Sequence, residues 1–195
     1  MRRSIPGRAN PENIDRFMKI VVYCGSMPGS DPAYIKMAAE LGTRIAREGH
    51  TLVYGGGSTG MMGAVADAAL AGGAHVTGVT PAFMFERDWT HKALSELIIT
   101  KDMHERKRHM MDLGDVFVAL PGGTGTLEEI LEAVSWMGLG LIKGVCFFVN
   151  TNGYYDHIKE FFEEMSEKGY VRDDNVAGVV FVQTLDELFS ETGRF

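Results

Sequence analysis

A chain of 195 residues, 45% hydrophobic and 23% charged, has the size and composition of one ordinary globular domain, neither disordered nor fibrous. Acidic residues outnumber Lys and Arg by 26 to 19, a formal charge of -7, which repels nucleic acid and anionic membrane wherever no local basic patch intervenes. Glycine is in excess at 24 residues, where a usual share of roughly 7% would give about 14, and the absence of a G-X-Y period excludes collagen.

In chain order, residues 1 to 18 read as a polar N-terminal extension without the apolar stretch of a secretory signal, and 19 to 195 as a single domain. Strands are expected at 19 to 24 (KIVVYC), 51 to 54 (TLVY), 75 to 80 (HVTGVT), 96 to 100 (ELIIT), 115 to 120 (DVFVAL), 145 to 149 (VCFFV) and 178 to 183 (GVVFVQ). Helices are expected between them, at 31 to 48, 60 to 72, 103 to 113, 126 to 138, 155 to 168 and 184 to 190. Near-continuous apolar strands alternating with helices imply a doubly wound α/β fold with a mainly parallel sheet covered on both faces. Ligands of such sheets bind beyond the carboxyl ends of the strands. No apolar run approaches the roughly 18 residues of a membrane span. Cys24 and Cys146 lie in apolar strand-like runs, where a thiol is usually a small buried hydrophobe, and this fits a reducing, cytoplasmic setting.

Three of the expected strands run into glycine-rich turns: Gly25-Ser26 through Gly29, Gly55-Gly56-Gly57-Ser58-Thr59-Gly60 through Gly63, and Pro121-Gly122-Gly123-Thr124-Gly125-Thr126. Each precedes an expected helix, so backbone N–H groups and the positive end of a helix dipole converge where an anion could sit. A phosphate cradle is one reading; glycine serving only to make tight turns is the other. Gly55, Gly57 and Gly60 satisfy G-x-G-x-x-G, but they follow the second strand, and no acid ends the next one to hold a ribose, which disfavours NAD. No Lys follows Gly60 or Gly125, so this is not a Walker NTPase.

On a helical wheel Met103, Met110 and Leu113 share one face; Arg106 falls inside that apolar stripe and Lys107 on its flank. Either the two snorkel along apolar surface, or they point across the sheet end at a bound phosphate. Thr126-Leu127-Glu128-Glu129 has the spacing of a capping box. Glu129 nevertheless falls on the side of Ala133 and Trp136, where its carboxylate would face the cradle as an acid, a base or a cation stabiliser. His91, His104 and His109 lack metal-ligand spacing, and Ser26 and Ser58 lack a G-x-S-x-G elbow, so neither a metal site nor a serine hydrolase is expected.

The segments YGGGSTGMMGAVADAAL (54 to 70), DMHERK (102 to 107) and LPGGTGTLEE (120 to 129) resemble the LOG family of cytokinin riboside 5'-monophosphate phosphoribohydrolases, long mislabelled as lysine decarboxylases. The resemblance implies a Rossmann-like fold and hydrolysis of the N-glycosidic bond of AMP or N6-substituted AMP to free base and ribose 5-phosphate, without a cofactor. It places the family's catalytic Arg and Glu on Arg106 and Glu129. Substrate contacts fall on Lys107, on Gly123, Thr124, Gly125, Thr126 and Glu128, on Ser135, and on Asp88 where the family commonly has Glu. Thr124 stands for a common Tyr and Gly138 for a common Gln, which bears on base specificity more than on the reaction. Gly25, Ser26, Gly56, Gly57, Ser58, Thr59 and Gly60 are expected to complete the phosphate cradle. The partners implied are a nucleoside 5'-monophosphate and a second copy of the chain, as a homodimer or a higher assembly of dimers, with no nucleic acid and no membrane. The alternative is a non-catalytic nucleotide-binding or carrier protein of the same fold.

Overall fold

The computed structural model describes residues 17–171 and 178–192; of the extension expected at 1 to 18, residues 1 to 16 lie outside the described residues. The expected strands form as β1 (Lys19–Tyr23), β2 (Thr51–Tyr54), β3 (Val76–Pro81), β4 (Glu96–Thr100), β5 (Val116–Ala119), β6 (Val145–Val149) and β7 (Val179–Val182). The helices are α1 (Pro32–Arg47), α2 (Gly60–Ala71), α3 (Ala82–Glu86), α4 (Met103–Leu113), α5 (Thr124–Gly138), α6 (Asp156–Glu167) and α7 (Leu185–Thr192). Among the described residues no helix is long and apolar enough to cross a membrane.

The seven strands make one sheet in the order β4-β3-β2-β1-β5-β6-β7, every neighbouring pair parallel. The chain winds outward from β1 to β4, then crosses back to place β5 on the other side of β1, with Val21 opposite both Val53 and Phe117. The order reverses between β1 and β5, so a crevice opens at their carboxyl ends. The first and third glycine turns follow these two strands, and the second follows neighbouring β2.

Side chains of a strand alternate between faces, and this divides the core. Ile20 and Val22 pack with Leu41 and Ile45 of α1, Val65 of α2 and Leu188 of α7. Val21 and Tyr23 pack on the opposite face with Met110 of α4 and Ile130 and Ala133 of α5. Each fully buried Val, Leu, Ile or Met among them contributes about 1.5–3 kcal/mol. Helices α1 and α2 approach closely at Gly42, where a Cβ would come 2.2 Å from the Val65 carbonyl oxygen. Asp31 starts α1 by accepting a hydrogen bond from the Ala33 amide at 2.8 Å, with Pro32 at the first helical position.

Two local departures from the sequence expectations bear on the site. Helix α5 begins at Thr124 rather than at 126, because Gly123 is extended (φ -88°, ψ -160°) and takes the capping position. The short α3, directly after Pro81, was not anticipated; none of its five residues is buried, so it carries no periodic apolar signal.

Candidate active site

Helix α4 is opened by Asp102, whose side chain accepts from the Glu105 amide at 2.9 Å. That start sets Arg106 one turn in and four residues before buried Met110, on the side facing the sheet. A snorkelling arginine would carry its guanidinium to water; Arg106 instead buries it. Its Nε donates to the Val79 carbonyl at 2.9 Å, and Nη1 meets Glu129 Oε1 at 2.7 Å, with the two side chains only 7% and 10% exposed. A Cβ at Gly55 would stand 2.2 Å from Arg106 Nη2, so glycine at 55 makes room for the guanidinium.

The structure also excludes the capping reading of Glu129. With Gly123 as the cap, Thr126 is the third helical residue of α5 and Glu129 lies well inside the helix, so no capping box forms. Burial pushes the Glu129 carboxyl pKa up, Arg106 pulls it back, and Glu128 adds to the rise; the outcome is a raised pKa. An ion pair this buried adds little net stability, because desolvation offsets the attraction. It does hold a basic carboxylate in one place.

Lys107 is buried as well, but it turns to α5: its Nζ pairs with Glu128 and lies 2.7 Å from Glu132 Oε2. Burial lowers its pKa, and the hydrogen bonds to Glu128 and Glu132 outweigh that effect, leaving the pKa raised. The cluster ties α4 to α5 beside the Arg106–Glu129 pair.

The three glycine turns come together at the crevice with unequal freedom. The Gly25 amide donates to Pro121 O at 3.2 Å, and Gly25 O accepts from the Met62 amide at 3.3 Å. A Cβ at Gly60 would stand 2.3 Å from Ser26 O, and one at Gly122 would stand 2.1 Å from Thr126 Oγ1 and 2.9 Å from Gly25 N. In the second turn the Ser58 amide and hydroxyl both donate to Trp89 O, at 3.2 and 3.3 Å. Thr59 Oγ1 donates to Ser26 O at 3.2 Å, Gly56 O accepts from the His91 amide at 2.9 Å, and Gly57 bridges to Thr90. Much of the glycine excess therefore serves close backbone packing. The third turn differs: a Cβ at Gly123 or Gly125 would meet nothing within 4 Å. Thr124, Gly125 and Thr126 form the first turn of α5, whose amides have no carbonyl one turn earlier within the helix to bond.

Two cavities flank Ser26 and Met27. One of about 360 Å³ is lined by Gly25, Gly122, Gly123, Tyr34 and Tyr154. The other, of about 370 Å³, is lined by Gly55, Gly56, Gly57, Met62, Met84 and Trp89. Asp88 sits beside Trp89 with a positive φ of 59°, exposed and paired with Lys92. Ser135 lies apart from both, in an apolar groove of about 520 Å³ between α5 and α6, its hydroxyl donating to Leu131 O at 2.8 Å. Met84, Trp89, Tyr34 and Tyr154 were not singled out from sequence. Tyr154 directly follows Asn152-Gly153 in the turn after β6, and Trp89 directly follows Asp88, which were the available signals. Among the described residues no three His, Cys, Asp or Glu side chains gather so as to hold a metal ion.

Residues 62–192 match the family described as "Possible lysine decarboxylase". Over 177 residues the chain is 41% identical to the cytokinin riboside 5'-monophosphate phosphoribohydrolase LOG of Oryza sativa subsp. japonica, covering 91% of this chain and 73% of that protein. Over 160 residues it is 41% identical to the cytokinin riboside 5'-monophosphate phosphoribohydrolase LOG7 of Arabidopsis thaliana, covering 82% and 74%. Among solved structures, the Moco carrier protein from Chlamydomonas reinhardtii matches with a TM-score of 0.68 over 90% of this chain and 95% of that one, at 22% identity, a likeness of fold alone. The buried Arg106–Glu129 pair thus sits on two of the three segments that carry the resemblance, and the chain belongs to the LOG family.

Proposed function

We propose that this protein hydrolyses the N-glycosidic bond of a nucleoside 5'-monophosphate, AMP or N6-substituted AMP, to free base and ribose 5-phosphate. The observation that carries the reading is the Arg106–Glu129 pair, 2.7 Å apart and nine-tenths buried, at the reversal point of the sheet next to the open start of α5. The names of the rice and Arabidopsis relatives supply the substrate class.

The 5'-phosphate belongs at the amides of the first turn of α5, where the dipole and open space coincide. Thr126, buried beneath Gly122, supports that turn, whereas Ser58 and Thr59 already spend their hydroxyls on backbone carbonyls. Cleavage breaks the bond between C1' and the base nitrogen, builds positive charge on the sugar, and ends when water gives its oxygen to C1' and a proton to the departing base. Glu129, with its raised pKa, stabilises the cation or takes the proton of the attacking water. Arg106 fixes the carboxylate and positions the nucleotide. The cavity lined by Met84 and Trp89 borders Gly55, against which the guanidinium rests, and receives the base.

A decarboxylase of the pyridoxal phosphate type needs a sheltered lysine with a free amine; Lys92 is 72% exposed and paired with Asp88, and the buried Lys107 is engaged by Glu128 and Glu132. A second copy of the chain finds its natural surface in the groove between α5 and α6, where Leu139 and Phe161 are 72% and 57% exposed. Cys24 and Cys146 are free and buried, which supports a reducing, cytoplasmic location.

Chromatography of the purified protein incubated with AMP or with adenosine tests the reading. Adenine and ribose 5-phosphate in equal amounts from AMP, with adenosine far slower, is the expected result. AMP recovered intact would leave a binding or carrier protein, and equal rates on both would remove the phosphate site.

A further inference from the structure

The third glycine turn is held by two consecutive tyrosines. Tyr155 Oη donates to Leu120 O at 2.6 Å, and Tyr154 Oη donates to Gly122 O at 2.6 Å. Between them Pro121 O accepts from the Gly25 amide at 3.2 Å, and after them Gly123 O accepts from the Leu127 amide at 3.2 Å. Four successive carbonyls, 120 to 123, are thus all engaged by protein donors. A carbonyl oxygen facing an anion repels it. In a trans peptide the following N–H points opposite to the carbonyl, so engaging the carbonyls of Pro121, Gly122 and Gly123 aims the amides of Gly122, Gly123 and Thr124 the other way, where a Cβ at Gly123 meets nothing within 4 Å; Leu120 precedes Pro121, which has no N–H to aim.

The tyrosines are themselves fixed. Asn150 Oδ1 accepts from the Tyr155 amide at 2.6 Å, and its Nδ2 donates to Asp156 at 2.7 Å. The Tyr154 ring meets Tyr34 and Tyr155 edge-on at 5.5 and 5.0 Å. Burial pushes the Tyr155 hydroxyl pKa well up, so it stays a donor at any working pH.

We infer that Tyr154 is a positioning residue for anion binding: by holding the Gly122 carbonyl it aims the Gly123 amide toward the phosphate, while Tyr155 anchors the start of the turn at Leu120. This rests on the reading of the α5 start as the phosphate site. Tyr154 is 42% exposed and Tyr154→Phe removes only its hydroxyl, so the variant keeps the ring contacts and the fold.

The test is calorimetric titration of the full chain, wild type and Tyr154→Phe, with ribose 5-phosphate and separately with adenine, alongside AMP kinetics. Loss of one hydrogen bond that shapes the turn is expected to raise the Kd for ribose 5-phosphate and the KM for AMP roughly three- to tenfold, with adenine affinity and kcat within about twofold. A general loosening of the structure would weaken both ligands alike. Unchanged ribose 5-phosphate affinity, or equal weakening of both ligands, overturns the inference. Turnover of AMP by the wild type is read separately: binding of ribose 5-phosphate without turnover refutes the hydrolase reading and leaves the tyrosine test in force, while no binding of ribose 5-phosphate overturns the inference whether or not AMP is turned over.

Discussion

Gly55 shows how the site constrains the sequence. A Cβ added there stands 2.2 Å from Arg106 Nη2 and 3.2 Å from the Met62 sulfur. No Cβ tolerates the first distance, so in Gly55→Ala the guanidinium must retreat. It is pinned by Val79 O at 2.9 Å and Glu129 at 2.7 Å, and it cannot retreat without loosening at least one of these. A hydrogen bond to a charged group is worth about 1.5–3 kcal/mol, and overpacking costs about 1–3 kcal/mol of stability. Gly55→Ala is therefore expected to lower kcat/KM for AMP between roughly tenfold and a hundredfold, approaching Arg106→Ala. Steady-state kinetics with released adenine as the readout, together with a thermal melt, measures both effects. In Arg106→Ala the obstacle is gone, so adding Gly55→Ala should cost little more; the two changes are strongly non-additive. A Gly55→Ala protein with wild-type activity would refute the view that glycine is there for the guanidinium.

Gly125→Ala should separate stability from binding: the position is helical with nothing within 4 Å of a Cβ, so melting should rise by the equivalent of about 0.5–1 kcal/mol while the KM for AMP increases. A lower melting temperature with unchanged KM would remove the phosphate from this turn. Because the Glu129 pKa is raised by burial, activity that needs its carboxylate should fall, as pH drops, at a higher pH than an ordinary glutamate's value of about 4.3. Arg106→Gln removes the cation that pulls this pKa down and should move that acid limb higher still, which a pH–rate profile reads. For stability the sign is reversed: a raised folded-state pKa favours folding while the group is protonated, and that contribution is lost as pH rises through the folded value. Lys107→Met leaves Glu128 and Glu132 without their shared ammonium and should destabilise by about 2 kcal/mol in denaturant melts; a shift of the AMP KM with no change in stability would instead make Lys107 a direct substrate contact.

The strands were legible because parallel, doubly covered strands are written as apolar runs: VCFFV became β6 and TLVY became β2 without a residue's error. The burial of Arg106 was also foreshadowed, since a charge at stripe position cannot reach water unless its side chain bends away. The start of α5 was read two residues late because Thr126 has the chemistry of a cap and Gly123 does not announce itself as one. Sequence could not say which glycines serve a ligand: Gly60 is pressed against Ser26 and Gly55 against Arg106, while Gly123 and Gly125 stand open, and this depends on contacts between turns remote in the chain. The partners of Lys107 were hidden for the same reason. Tyr154 and Trp89 sit in loops, where no periodicity reports which way a side chain faces.

The central claim is that the buried Arg106–Glu129 pair performs the cleavage, and Glu129→Gln tests it most directly because amide and carboxylate share a shape but not a charge or basicity. Single-turnover kinetics should be read beside AMP binding by titration. The expected result is a fall in the rate of adenine release on the order of 10² to 10⁴ with AMP affinity changed by less than about tenfold; release at the wild-type rate would contradict it.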